Sequence, residues 1–177
     1  MSLATTITPE ELEALITAIH ATPHRLVLEF AGAGAQALAW LHGVGGSSRT
    51  ILEATDRYAP ASLISAIGFR AERFTSLRVA VAMADKAWGR ARTLAGPGLP
   101  VIGIGSTATI ATDRAKRGDH RCCAAVKDAF GIVTYALTIS KGLRTRQQEE
   151  VVVSLLIVRA LAEGCGVAAL PELPLAA

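Results

Sequence analysis

Gly32 and Gly34 stand between an apolar run and a helix-forming run in the stretch RLVLEFAGAGAQALAWL, residues 25–41. Glycine at such a turn lets backbone N–H groups approach an anion at the positive end of the following helix. The layout serves a phosphate site or the presentation of a nucleophile. Residues 23–46 contain no Ser, Thr or Cys, so the turn offers nothing that could attack a substrate and points to binding. Ala37 stands where the third glycine of a G-x-G-x-x-G pattern would be, and a strand-to-helix turn needing glycine only for packing explains the same residues equally well.

A second group lies in GSTATIATDRAKRGDHR, residues 105–121, the most polar and basic stretch of the chain. Ser106, Thr107, Thr109 and Thr112 bring hydroxyls, and Arg114, Lys116, Arg117 and Arg121 bring charge, a combination suited to phosphate and ribose. Taken singly, each residue also belongs on a solvated surface loop; together, after an apolar strand, they form a candidate ligand loop. Ser47, Ser48 and Arg49 in GGSSRT resemble an anion nest, and a flexible linker explains them as well. His120 follows Asp119, but neighbours on an extended segment face opposite sides and are not partners of one another. His20, His24 and His42 fall near helix ends or turns, where surface or capping roles are expected. Cys122 and Cys123 read as neighbouring residues of one buried strand, facing opposite sides, and Trp40 and Trp88 as core.

Composition narrows the class. The chain has 177 residues, 51% hydrophobic and 5% aromatic, which fits a single domain whose Ala, Val, Leu and Ile core lies between helices and a largely buried sheet. A formal charge of +3, without a stripe of basic residues interleaved with aromatics, argues against nucleic acid and for a small anionic ligand. Three cysteines with no C-x-x-C pair imply neither a disulfide framework nor zinc, and a cytoplasmic setting is expected. The most apolar run, residues 151–158, is far shorter than the ~20 residues that cross a bilayer, so no membrane association is expected. No feature calls for a metal or other cofactor.

The elements that must position these residues are marked by their boundaries. Thr8, Pro9, Glu10 and Glu11 start a helix that runs to about His20. LVLEF is a strand, AQALAWLHG a short helix, and GVGGSSRT a mobile loop by composition. An extended piece reaches Tyr58, and a helix begins at Pro60 and stops at Gly68. Thr75 and Ser76 cap a longer helix with Val79, Ala80, Met83, Ala84 and Ala87 at helical spacing. VIGIG is a short buried strand that runs into the polar loop; RCCAAVKDA and IVTYALTIS form a hairpin around Phe130 and Gly131; the last helix runs from about Thr145 to Glu163 and ends at Gly164. This order gives an α/β fold, a mixed sheet with helices on both faces. Residues 1–24 supply the N-terminal helix, 25–166 the core and 167–177 a tail.

The order of motifs resembles the C-terminal domain family of CinA, the competence/damage-inducible protein, whose active members are PncC-type nicotinamide-nucleotide amidohydrolases. The matching pieces are Glu29 and Gly34 in the first turn, Val44-Gly45-Gly46-Ser47-Ser48 in the second, Tyr58, the run TSLRVAVAMA, and VIGIG. The resemblance spans residues 25–166 and implies a three-layer α/β/α sandwich that self-associates. It also exposes departures. The family's nucleophilic serine falls on Phe30 or Ala31, its lysine falls near Leu63, and its Gly-Pro-Gly-Gly loop is replaced by Ser106-Thr107-Ala108-Thr109.

The expectation is therefore a domain that binds a nucleotide or phosphorylated metabolite without serine-dependent amidase chemistry. Gly32, Gly34, Tyr58, the hydroxyls, the cations and His120 would form the site. Two alternatives remain. One is a hydrolase whose nucleophile has moved to Ser47, Ser48, Ser106 or Thr107, activated by Tyr58, Lys116 or His120; the other is an oligomerisation or interaction module.

Overall fold

The structure is a computed structural model that describes residues 7–114 and 117–168. Its elements in chain order are α1 (Pro9–Ala21), β1 (Arg25–Ala31), α2 (Ala35–Gly43), α3 (Ser47–Thr50), β2 (Ile51–Asp56), α4 (Pro60–Ile67), α5 (Leu77–Ala95), β3 (Val101–Thr109), β4 (His120–Lys127), β5 (Ile132–Ile139) and α6 (Arg146–Gly164). The helix ends follow local chemistry. Thr8 caps α1 in a reciprocal capping box with Glu11, Thr145 does the same for α6 with Gln148, Ser76 accepts from Val79 N at the start of α5, and Gly68 ends α4 at φ 81°.

The five strands form one sheet in the order β2-β1-β3-β4-β5. β1 runs parallel to β2 and β3, while β3, β4 and β5 are successively antiparallel. This is the mixed sheet the sequence predicts. Alternation along β1, β3 and β4 divides the core. Leu26, Leu28, Phe30, Ile102, Ile104 and Cys122 pack with α1, α2 and α6 on one face. Ala31 and Cys123 belong to the other face, where Val79, Met83, Ala80 and Ala84 of α5 cover the sheet. Cys122 and Cys123 do face opposite sides.

Three expectations require correction. β3 continues through Ser106, Thr107, Ala108 and Thr109, so these residues belong to a strand and not to a loop. GVGGSSRT contains the short helix α3. His20 is buried, bonded to Thr50 Oγ1 and Leu41 O at 2.9 Å each, and has no surface role.

Candidate functional site

Because β1, β2 and β3 are parallel, their carboxyl ends lie along one edge of the sheet, and ligands of open α/β folds collect there. The antiparallel turn back into β4 brings His120 and Arg121 to the same edge, with Arg121 paired to Thr109. Ser47, Ser48 and Arg49 precede β2 and lie at the opposite edge. The predicted residues therefore fall into two separate groups.

The glycine turn is already occupied. Gly34 has φ 119° and caps α2, and a Cβ there would meet Ile157 Cδ1 at 2.5 Å; Gly32 has φ 86° and a Cβ would come within 2.0 Å of Ala108 O. Both glycines are thus required by backbone conformation and close approach. The N–H groups of Gly34 and Gln36 donate to Glu150 Oε1 at 2.9 and 3.1 Å. A carboxylate of the protein holds the positive end of α2. Asp56 lies close enough to feel that charge: burial, then the Glu150 carboxylate, raise its pKa. A phosphate at this turn would meet both acids.

Glu29, at the end of β1, is buried and takes a two-point bond from Arg57, Nε to Oε2 and Nη2 to Oε1 at 3.0 Å each. That bond, more than any other contact, raises the Arg57 pKa. Tyr58 beside it is 66% exposed. Ser106 is buried with Oγ 3.6 Å from Cys122 Sγ, a thiol that burial pushes up to about 12. Thr107 is buried and donates to Phe74 O at 3.0 Å. Neither hydroxyl meets solvent, so their polarity serves internal bonding. Thr112 Oγ1 donates to Arg114 O at 2.8 Å, and Arg114 itself is exposed. Lys116 lies outside the described residues.

His120 pairs across the molecule. Its Nδ1 is 2.9 Å from Oε1 of the fully buried Glu149, whose Oε2 accepts from Ala111 N at 2.7 Å. Arg146 Nη1 donates to Ala111 O at 2.7 Å. The first turn of α6 therefore clamps the chain where it leaves β3.

On the α5 side of this edge lies a pocket of about 550 Å³, lined by Arg73, Phe74, Thr75, Thr109, Arg117, Gly118, Asp119 and Arg121. Thr75 and Thr109 join hydroxyl to hydroxyl at 2.8 Å. Arg121 reaches Asp119 at 3.5 Å; among the described residues, neither Arg73 nor Arg117 has a carboxylate partner. The pocket thus carries three guanidinium groups against one carboxylate, with two threonine hydroxyls in its lining, a donor set suited to an oxyanion. Of the predicted residues it unites Thr109, Arg117 and Arg121. Sequence reasoning missed Arg73 and took Thr75 only as a cap. The signal was the basic run GFRAERFTSLR, residues 68–78, with Arg70, Arg73 and Arg78 just ahead of a helix. Among the described residues, no three His, Cys, Asp or Glu side chains gather as a metal would require, and no helix is long and apolar enough to cross a membrane.

At the opposite edge, Ser47 Oγ lies 2.6 Å from His42 Nδ1. Ser48 and Arg49 beside it are exposed.

No family model matches the sequence, and no curated protein matches it. Solved structures do match. The competence/damage inducible protein CihA from Agrobacterium tumefaciens superposes with a TM-score of 0.65 at 18% identity, over 93% of this chain and 100% of that one. The competence damage-inducible protein A from Klebsiella pneumoniae gives 0.66 at 14%, over 90% and 98%, and a CinA superfamily protein from Escherichia coli gives 0.63 at 16%, over 96% and 95%. The five-stranded mixed sheet and its two helical layers are therefore the fold that these solved structures share with the chain.

Proposed function

We propose that the chain binds a small phosphorylated ligand, a pyridine mononucleotide being the first candidate, in the pocket at the carboxyl end of β3. Arg73, Arg117 and Arg121 neutralise the phosphate, and Thr75 and Thr109 supply hydroxyls. The observation that carries this reading is the excess of guanidinium groups over carboxylates in a pocket of about 550 Å³, a size within the usual range for small-molecule sites. The glycine turn supports the floor of the edge without contacting the ligand, because Glu150 already takes its N–H groups. Serine-dependent amidase chemistry is no part of this reading: Phe30 and Ala31 stand in the nucleophile's place, and Leu63, where the lysine is expected, is buried. A cytoplasmic setting accords with free, buried cysteines.

The test is proton NMR of nicotinamide mononucleotide mixed with the protein and followed for hours. Line broadening without conversion, lost in the Arg117→Ala/Arg121→Ala variant, is expected. Unchanged lines with the wild-type protein would reject the mononucleotide, and unchanged broadening in the variant would reject the pocket.

One contact favours a second reading, a hydrolase with a relocated nucleophile. At 2.6 Å from Ser47 Oγ, His42 Nδ1 can accept the hydroxyl proton as serine attacks. Conversion of the mononucleotide to its acid form, abolished by Ser47→Ala, would establish it; conversion that survives Ser47→Ala would remove it.

A further inference from the structure

The fully buried Glu149 spends both carboxylate oxygens on one segment outside its own helix. Oε2 accepts from Ala111 N at 2.7 Å, just beyond the end of β3, and Oε1 lies 2.9 Å from Nδ1 of His120, the first residue of β4. The β3–β4 ladder ends at the pair Thr109 and Arg121, so the carboxylate takes hold where the two strands part. Arg146 adds a bond at the same place, Nη1 to Ala111 O at 2.7 Å. The support is firm: Thr145 and Gln148 fix the first turn of α6 in a capping box, and Val152, Val153, Leu156 and Ile157 behind it are buried in the core. A buried carboxylate is costly to desolvate, and packing alone would favour an apolar side chain there. What the carboxylate adds is two acceptors that reach separate points of the chain.

The segment between Ala111 and His120 carries Arg117, Gly118 and Asp119 of the pocket lining, and Arg121 follows at once. Successive side chains of a strand point to opposite faces. His120 turns back toward α6, and Arg121 turns toward the pocket on the α5 side. A bond that fixes the imidazole from behind therefore fixes the rotation of the strand end that presents the guanidinium in front. Given the phosphate pocket proposed above, on which this rests, we infer that Glu149 is a positioning residue for it: touching no ligand, it sets the spacing and direction of Arg117 and Arg121 through Ala111 and His120. His120 then stands behind the site and not in it. Such support matters because a guanidinium grips phosphate only within a narrow range of distance and angle.

Charge and position give opposite signs for the loss of Glu149. A carboxylate that acted on the ligand only through its charge would repel phosphate, and its removal would tighten binding. A carboxylate that positions the arginines is needed for binding, and its removal weakens it. Calorimetric titrations of the full chain with nicotinamide mononucleotide and nicotinamide riboside separate the two. Glu149→Ala should bind the mononucleotide about tenfold more weakly than the wild type, a coupling of the size found within one hydrogen-bond network, and should bind the riboside as the wild type does. Glu149→Gln, which keeps an acceptor for Ala111 N, should recover part of the loss. Mononucleotide affinity unchanged or raised in Glu149→Ala would overturn the inference, as would an equal loss for both ligands, the mark of a general loosening of the fold. A wild-type protein that binds the mononucleotide no better than the riboside would instead reject the phosphate reading, and the role of Glu149 with it. Should Glu149→Ala fail to fold, His120→Ala, which cuts one of the two bonds, carries the same comparison: a loss confined to the mononucleotide is expected, and unchanged affinity would overturn the inference.

Discussion

The carboxylate of Glu150 sits where a bound anion would sit at the start of α2, taking two backbone N–H groups and a bond from Ser154 Oγ at 3.3 Å. Glu150→Ala should destabilise the fold by about 1–3 kcal/mol, the range for losing charged hydrogen bonds to partly buried donors, measured by urea unfolding. Inorganic phosphate should then raise the variant's midpoint more than the wild type's; equal responses would mean that the vacated N–H groups do not attract anions. His20 makes a pH prediction. Burial, the largest influence, lowers its pKa from 6.5, so the unfolded chain binds its proton more readily than the folded one. The stability it contributes is present above about pH 6.5 and is lost as pH falls below it. Wild-type stability should therefore drop between about pH 7.5 and 5.5, and less so in His20→Gln. His24 shifts in the same direction, again chiefly by burial, and remains in both proteins. The sequence made Gly32 and Gly34 legible as a special turn, because only glycine tolerates that backbone. It did not show that the N–H groups of Gly34 and Gln36 are spoken for, since Glu150 is more than a hundred residues away.

Among the elements, the ends of α1, α4, α5 and α6 were legible because a capping threonine or serine, an early proline or a final glycine acts within one turn. The end of β3 was not. Its hydroxyl residues read as a loop, yet Ser106 and Thr107 are buried and bonded to Cys122 and Phe74, partners that only the assembled sheet supplies. β3 also governs how closely α5 sits. A Cβ on Gly103 would meet Trp88 N at 2.1 Å, and one on Gly105 would meet Ala80 O at 2.3 Å. These are backbone atoms that cannot swing aside. Gly105→Ala should therefore lift α5 from the sheet and destabilise the protein by about 1–3 kcal/mol or somewhat more, as overpacking does. It should also weaken ligand binding, because residues 73–75 lead directly into α5 and carry part of the pocket. A fall in the urea midpoint with unchanged ligand affinity would show that the pocket does not depend on the seating of α5.

For the molecule as a whole, the sheet order decides which distant segments meet. The segment before α5, the end of β3, the approach to β4 and the first turn of α6 converge on one edge although they lie far apart in the chain, so the sequence could nominate Thr109, Arg117 and Arg121 without joining them to Arg73. Charge separates local from global effects. With 18 basic against 15 acidic side chains, the molecule's overall field is weak, and the proposed attraction of a phosphorylated ligand would rest mainly on the three pocket arginines. Part of that attraction acts through solvent at an open mouth, where salt screens it within about 8–10 Å. Raising sodium chloride from about 0.05 to 0.3 M should weaken mononucleotide binding several-fold, and the Arg117→Ala/Arg121→Ala variant should bind about ten- to a hundredfold more weakly with a shallower salt dependence. Nicotinamide riboside, which lacks the phosphate, should bind no better to the wild type than to the variant. Calorimetric titrations of both ligands at the two salt concentrations make the comparison. Equal affinity of riboside and mononucleotide for the wild type would mean that the pocket selects the base and not the phosphate.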